Sequence, residues 1–173
     1  MNNPTATGHS SKGATAWLGL SFVIIALDQV SKWAIVKWVE LYRSIPVSEF
    51  LDITYLRNTG AAFSFLADAS GWQRWFFIIL GIVVSIIIVF WLRQLKASEQ
   101  RLLVLGLSLV AGGAIGNVID RIHLGYVVDF IHVHWGDAYF PAFNVADSAI
   151  TVGAVFLIID ALFLSGKAQP NEE

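Results

Sequence analysis

Four long apolar runs divide the chain. The clearest, Trp75 to Leu92 (WFFIILGIVVSIIIVFWL), holds no charge and has Trp at both ends, where an aromatic belt would meet the membrane interface. A second runs from Leu102 to Ile119, and a third, Ser148 to Leu164, carries one acid, Asp160. The earliest, Ala16 to Val36, is apolar as far as Leu27, reads Asp28-Gln29-Val30-Ser31-Lys32, and then resumes with WAIV. Each approaches the roughly 20 residues that a helix needs to cross a bilayer. Lys12 before the first run resembles a signal-peptide start, but no small-x-small cleavage site follows and the pattern continues to Val36, so a retained helix is expected. The pattern therefore predicts a single membrane domain over residues 1–173, with spans 16–36, 75–92, 102–119 and 148–164.

The intervening segments differ in character. The linker 93–101 is short and holds Arg93, Lys96 and Arg101 beside helix ends, which marks it as cytoplasmic by the positive-inside rule and puts both termini on that side. The outer loops, 37–74 and 120–147, are long and neither Pro/Ser-rich nor repetitive. FLDITYL in the first and YVVDFIHVHW in the second alternate enough to predict strands, which together would form a small sheet at the membrane surface.

Composition agrees. Of 173 residues, 56% are apolar and 14% charged, against about 25% charged in average globular chains. A net charge of −2 provides no basic field for nucleic acid. The absence of Cys removes disulfides, thiol nucleophiles and thiolate metal sites, so any chemistry uses oxygen and nitrogen.

With so few charges, each one in or beside a span needs a reason. Asp28 and Lys32 stand one helical turn apart and are expected to pair. Ser31 beside Lys32 raises a Ser/Lys dyad, although adjacent helical residues point about 100° apart. In AGGAIGNVIDR, Gly112 and Gly116 form a GxxxG surface for close helix packing, and Asn117, Asp120 and Arg121 share one face at the outer boundary. An Asp at a helix C-terminus opposes the helix dipole, so other contacts are expected to hold Asp120. Asp147 precedes the last span and fits an N-cap, whereas Asp129, inside an apolar strand, has no evident structural partner. Brought within a few ångströms, the two would share one proton, the arrangement by which an aspartic protease activates water. His132 and His134, on one strand face, are a rival: with Asp129, Asp137 or Asp147 they are candidate zinc ligands, but H-E-x-x-H is absent. A different class of function, a small proton-coupled four-helix transporter with Asp28 and Asp160 as carriers, stays open as the alternative.

Four segments in order, DQVSK (28–32), RNTGAAFSFL (57–66), GGAIGNVIDRIHLGYVVDF (112–130) and FNVADSAI (143–150), together resemble the lipoprotein signal peptidase (signal peptidase II) family of bacterial inner-membrane aspartic proteases. The resemblance implies an all-α membrane fold of four transmembrane helices with a small periplasmic β-cradle and a short periplasmic helix. It also implies removal of the signal peptide from prolipoproteins, immediately before a cysteine already carrying diacylglycerol. Asp129 and Asp147 match the catalytic pair, and no cofactor or metal is implied. Asn117 and Arg121 match positions that bind substrate backbone, while Asp28, Lys32, Asn58, Asp120 and Asn144 match supporting polar positions. Membrane lipids and globomycin-type cyclic peptide inhibitors are implied partners. Two expectations follow for the substrate: its signal helix docks on the small-residue face of the span 102–119, and the loop RNTGAAFSF closes over it with Gly60 as hinge.

Overall fold

The computed structural model describes residues 14–60 and 71–164. A 3₁₀ turn, Ala14–Trp17, leads into α1 (Leu18–Trp38), followed by strands β1 (Ser44–Ser48) and β2 (Leu51–Asn58). Helices α2 (Trp72–Leu92) and α3 (Arg101–His123) come next, then β3 (Val127–Trp135), β4 (Ala138–Tyr139) and α4 (Val145–Ile159), which ends in a π-helical turn, Asp160–Leu164. Four helical segments are long and apolar enough to cross a membrane: Ala14–Trp38, Trp72–Leu92, Arg101–His123 and Val145–Leu164. The implied short helix between spans does not occur among the described residues.

Burial is inverted relative to a water-soluble bundle. On α1 the buried side chains are Ser21, Asp28 and Lys32, while Phe22, Val23, Leu27 and Val30 face outward. This is the distribution that hydrocarbon demands: apolar groups toward lipid, charges toward protein. Helix α3 is the central element, packed by α1, α2 and α4. Its first half meets α2 through a core of Ile88, Leu92, Leu103, Val104 and Leu107. Its second half uses small residues to admit the neighbouring backbones. A Cβ on Gly112 would lie 2.9 Å from the Ser21 carbonyl oxygen of α1, and one on Gly113 would collide with the Ala146 carbonyl of α4. The GxxxG surface is therefore filled by the protein's own helices, which corrects the expectation that the substrate helix docks there.

The expected strands form at Leu51–Asn58 and Val127–Trp135 and pair antiparallel in a sheet of order β1-β2-β3-β4. A register shift between Ile53 and Leu56 sets Leu56 opposite Asp129 and Asn58 opposite Val127. Residues Val127 to Phe130 are buried in succession, and Tyr55, Val128 and Phe130 form a second small core. A backbone clamp follows: Phe130 N and Ile131 N donate to Phe143 O at 3.0 and 2.8 Å, and Phe143 N returns to Ile131 O at 3.0 Å. It fixes the chain entering α4 against the middle of β3.

Candidate active site

Two helix ends lie differently from the sequence expectation, and both differences bear on the site. Helix α3 continues beyond Ile119 to His123, so Asp120 and Arg121 belong to the helix and not to the outer loop. Helix α4 begins at Val145, three residues early, because Asn144 caps it: the Asn144 side-chain oxygen accepts from Asp147 N at 2.9 Å, and an Asp147 oxygen accepts from Asn144 N at 3.3 Å. Asp147 is thus the third residue of the first turn and not the N-cap. This reciprocal capping box fixes the Asp147 carboxylate beside Asn144.

Asn144, fully buried, joins the two carboxylates. Its Nδ2 donates to Asp129 Oδ1 at 2.7 Å and its backbone N–H to Asp147 Oδ2 at 3.3 Å, while its Oδ1 accepts from the backbone of Asp147. Asn58 Nδ2, arriving from β2, donates to the other Asp129 oxygen at 2.9 Å, and Asn117 Nδ2 from α3 donates to Asp147 Oδ1 at 2.8 Å. Asp129 is 3% exposed. Burial, and next the neighbouring charge of Asp147, push its carboxyl up to about 7, against a smaller opposing effect of the Asn58 and Asn144 donors. Both aspartates open on one cavity of about 310 Å³, walled by Asn58, Phe140, Phe143 and Thr151.

Behind this pair lies a buried ion cluster. Lys32 Nζ sits 2.9 Å from Asp28 Oδ2, 3.1 Å from Asp120 Oδ2 and 2.9 Å from Asn117 Oδ1. A lysine ammonium only donates, so it fixes the Asn117 amide with its oxygen toward Lys32 and its NH₂ toward Asp147. Asp28 Oδ1 accepts from Ala146 N at 2.9 Å, and Asp120 Oδ2 from Val128 N at 3.0 Å, which ties the cluster to the starts of α4 and β3. These are the contacts that hold Asp120 against the helix dipole. With both oxygens of Asp28 so engaged, the residue is a fixed structural charge.

Arg121 stands to one side. Its Nη2 donates to Gly60 O at 2.7 Å, its Nη1 to Asn117 O at 3.3 Å, and its guanidinium lies 5.0 Å from the Phe77 ring. Its buried Nε has no hydrogen-bond partner among the described residues. Gly60 is bound at both backbone groups, since its N–H donates to Asn58 Oδ1 at 2.9 Å. It is an anchor between Asn58 and Arg121, and the loop whose closure it was expected to permit, 61–70, lies outside the described residues.

All ten sequence-predicted site residues thus converge around or directly behind one cavity. The rivals do not assemble. Ser31 Oγ donates to Asp28 O at 2.8 Å while Lys32 is committed to the ion cluster. His134 Nε2 lies 3.3 Å from Asp52 Oδ1, His132 Nδ1 lies 3.4 Å from Thr54 Oγ1, and both rings contact Tyr139. No group of three or more His, Asp or Glu side chains suited to a metal occurs among the described residues. Gln29 was missed: its amide bridges Asp28, Gly116 O and Asp120 at 3.2, 3.2 and 2.9 Å. Its position beside Asp28 in an apolar run was the available signal.

The fold and this site define a polytopic membrane protein with a carboxylate pair buried at one end of its bundle. Residues 20–163 match the family model described as signal peptidase (SPase) II. Lipoprotein signal peptidase of Acinetobacter baumannii is 51% identical over 157 residues, 91% of this chain and 89% of that protein. The Pseudomonas putida enzyme of the same name is 52% identical over 171 residues, covering 98% and 97%. A bacterial membrane enzyme solved by the in meso method at 2.3 Å superposes with a TM-score of 0.77 at 34% identity, over 91% of this chain and 93% of that one.

The chain belongs to the signal peptidase II family. It is accordingly a protease of lipoprotein processing and a multi-pass protein of the bacterial inner membrane.

Proposed function

We propose that Asp129 and Asp147 form the catalytic pair of this prolipoprotein signal peptidase and act through one shared proton. The ionised carboxylate takes a proton from water as its oxygen adds to the scissile carbonyl. The protonated carboxyl then gives its proton to the departing amide nitrogen as the C–N bond breaks. The observation that carries this reading is the joining of both carboxylates by Asn144, whose side chain donates to Asp129 and whose backbone N–H donates to Asp147, at the wall of one cavity, with Asp129 pushed up to about 7 by burial and by its neighbour. Asn58, Asn117 and Asn144 orient the pair, Lys32 with Asp28 and Asp120 orients Asn117, and Arg121, held by Gly60 O and Asn117 O, keeps further guanidinium N–H groups for the substrate backbone.

The substrate is a prolipoprotein whose cysteine already carries diacylglycerol. Its acyl chains stay in the bilayer, so the bond to be cut lies where the spans meet the sheet. Since α1 and α4 occupy the small-residue face of α3, the signal helix runs along α4 past Ser148, Thr151 and Val152, which line the same cavity. Both termini and the α2–α3 linker face the cytoplasm, the site faces the periplasm, and globomycin-type cyclic peptides compete for the cavity.

In vitro cleavage of one prolipoprotein, with and without its diacylglyceryl group, tests the reading. The protein should cut only the lipidated form, release a product that begins at the modified cysteine, and keep its activity in excess chelator. Equal cutting of the unlipidated form, or loss of activity on chelation that added zinc restores, would overturn it.

A further inference from the structure

A second concavity, about 420 Å³, lies away from the carboxylates, in the half of the bundle nearest the α2–α3 linker. Helices α1 and α2 both pack on α3 rather than on each other, and the space between them is walled by Leu18, Phe22, Ile25, Ile86 and Val89, with Arg93 at the linker end. Two serines also line it, but their hydroxyls are already satisfied: Ser21 Oγ donates to Ser108 O at 2.7 Å and Ser85 Oγ to Gly81 O at 2.7 Å. The groove therefore offers a ligand hydrocarbon contact along its length and a single cation at its mouth.

We infer that this groove is a binding site for an anionic phospholipid, one acyl chain lying between α1 and α2 and the headgroup phosphate meeting Arg93. Apart from Arg93 the walls present no free polar group, and the groove is open along its side, so an acyl chain can follow it while its headgroup reaches the guanidinium. Arg93 carries no carboxylate partner among the described residues and lies 5.3 Å over the ring of Phe90, another wall residue. Lys96, three residues on, is by contrast paired with Glu99 at 3.5 Å. Surrounding lipid tails are as apolar as the groove, so burial alone gives no preference among lipids. Selection comes from the guanidinium, which favours a headgroup whose phosphate charge is not offset by a cation of its own and repels the basic end of a signal peptide.

Native mass spectrometry of the full chain in detergent, with added phosphatidylglycerol or phosphatidylcholine of matched acyl length, tests this. One phosphatidylglycerol should bind with at least five-fold preference. Arg93→Gln should abolish the preference, Lys96→Gln should leave it intact, and Ile86→Trp, which fills the groove, should remove the bound lipid of either kind. Equal binding of the two lipids, an unchanged preference in Arg93→Gln, or loss of preference in Lys96→Gln as complete as in Arg93→Gln would overturn the assignment. So would stoichiometric displacement of the lipid by a lipidated prolipoprotein peptide, which would make the groove part of the substrate path.

Discussion

The half of α3 from Arg101 to Ala111 and the half from Gly112 to His123 bury inward faces that differ in charge: the first is apolar apart from Ser108, and the second holds the ionised groups. The first presents Leu103, Val104 and Leu107 to Ile88 and Leu92 of α2. The second presents Gly112, Gly113, Gly116, Asn117, Asp120 and Arg121. Between helices in lipid, apolar packing gains little from leaving water, and tight van der Waals fit carries the first half. In the second half close backbone approach makes room for an ion cluster whose members are 8% exposed or less. That cluster is stabilising only while every charge keeps its partner. Volume loss in the first half costs stability without disturbing the site's charges, whereas an unpaired charge in the second disturbs both.

Three substitutions sharpen this contrast. Lys32→Met leaves Asp28 and Asp120 buried without their cation and should cost about 3–5 kcal/mol, the range for breaking one partner out of a buried pair. Thermal unfolding in detergent should show little folded protein, with partial recovery when Asp28→Asn and Asp120→Asn are added. If Lys32→Met alone unfolds like the wild type, the cluster is not structural. In the apolar half, Leu107→Ala should cost about 3 kcal/mol through the cavity it leaves, yet the folded fraction should keep its kcat/KM within about two-fold. A larger loss of activity would mean that the apolar half reports directly on the site.

The smallest effect is on proton affinity. Asn58 donates to the Asp129 carboxylate and so favours its charged form. Asn58→Ala removes that donor and should raise the Asp129 value by roughly one unit, equivalent to about 1.5 kcal/mol of charge-assisted hydrogen bonding. Cleavage requires one proton on the pair, so activity should fall as pH rises through about 7 in the wild type and roughly one unit higher in the variant. An alkaline limb that stays in place would remove Asp129 from the titrating pair.

The two halves also differed in how far the sequence disclosed them. The spans were legible because predominantly apolar runs of this length have few other uses, and Leu51–Asn58 and Val127–Trp135 were legible by alternation. Strand β1 was not, since Ser-Ile-Pro-Val-Ser is short, fully exposed and holds a proline at an edge position. The small residues of the second half were read correctly as a packing surface, but their partner was not, because spacing tells how closely a backbone approaches and not which one. Asp147 was placed at a helix start but as the cap itself, three residues from the true cap, although Asn144-Val-Ala-Asp147 has the spacing of a capping box. What the sequence could not disclose is distance across the fold: Asn58 and Asp129 stand 71 residues apart and touch through a β-bridge register that a bulge has shifted.

The central claim is that Asp129 and Asp147 work as one unit. Its most direct test is the rate of lipidated prolipoprotein cleavage by Asp129→Asn, Asp147→Asn and the double variant, each verified to insert and fold. Groups that share one proton and one water are strongly non-additive. Each single variant should therefore lose at least about a thousand-fold in kcat, and the double variant should lose little more than either. A single variant that cleaves at the wild-type rate, or two independent losses that multiply in the double variant, would contradict the account.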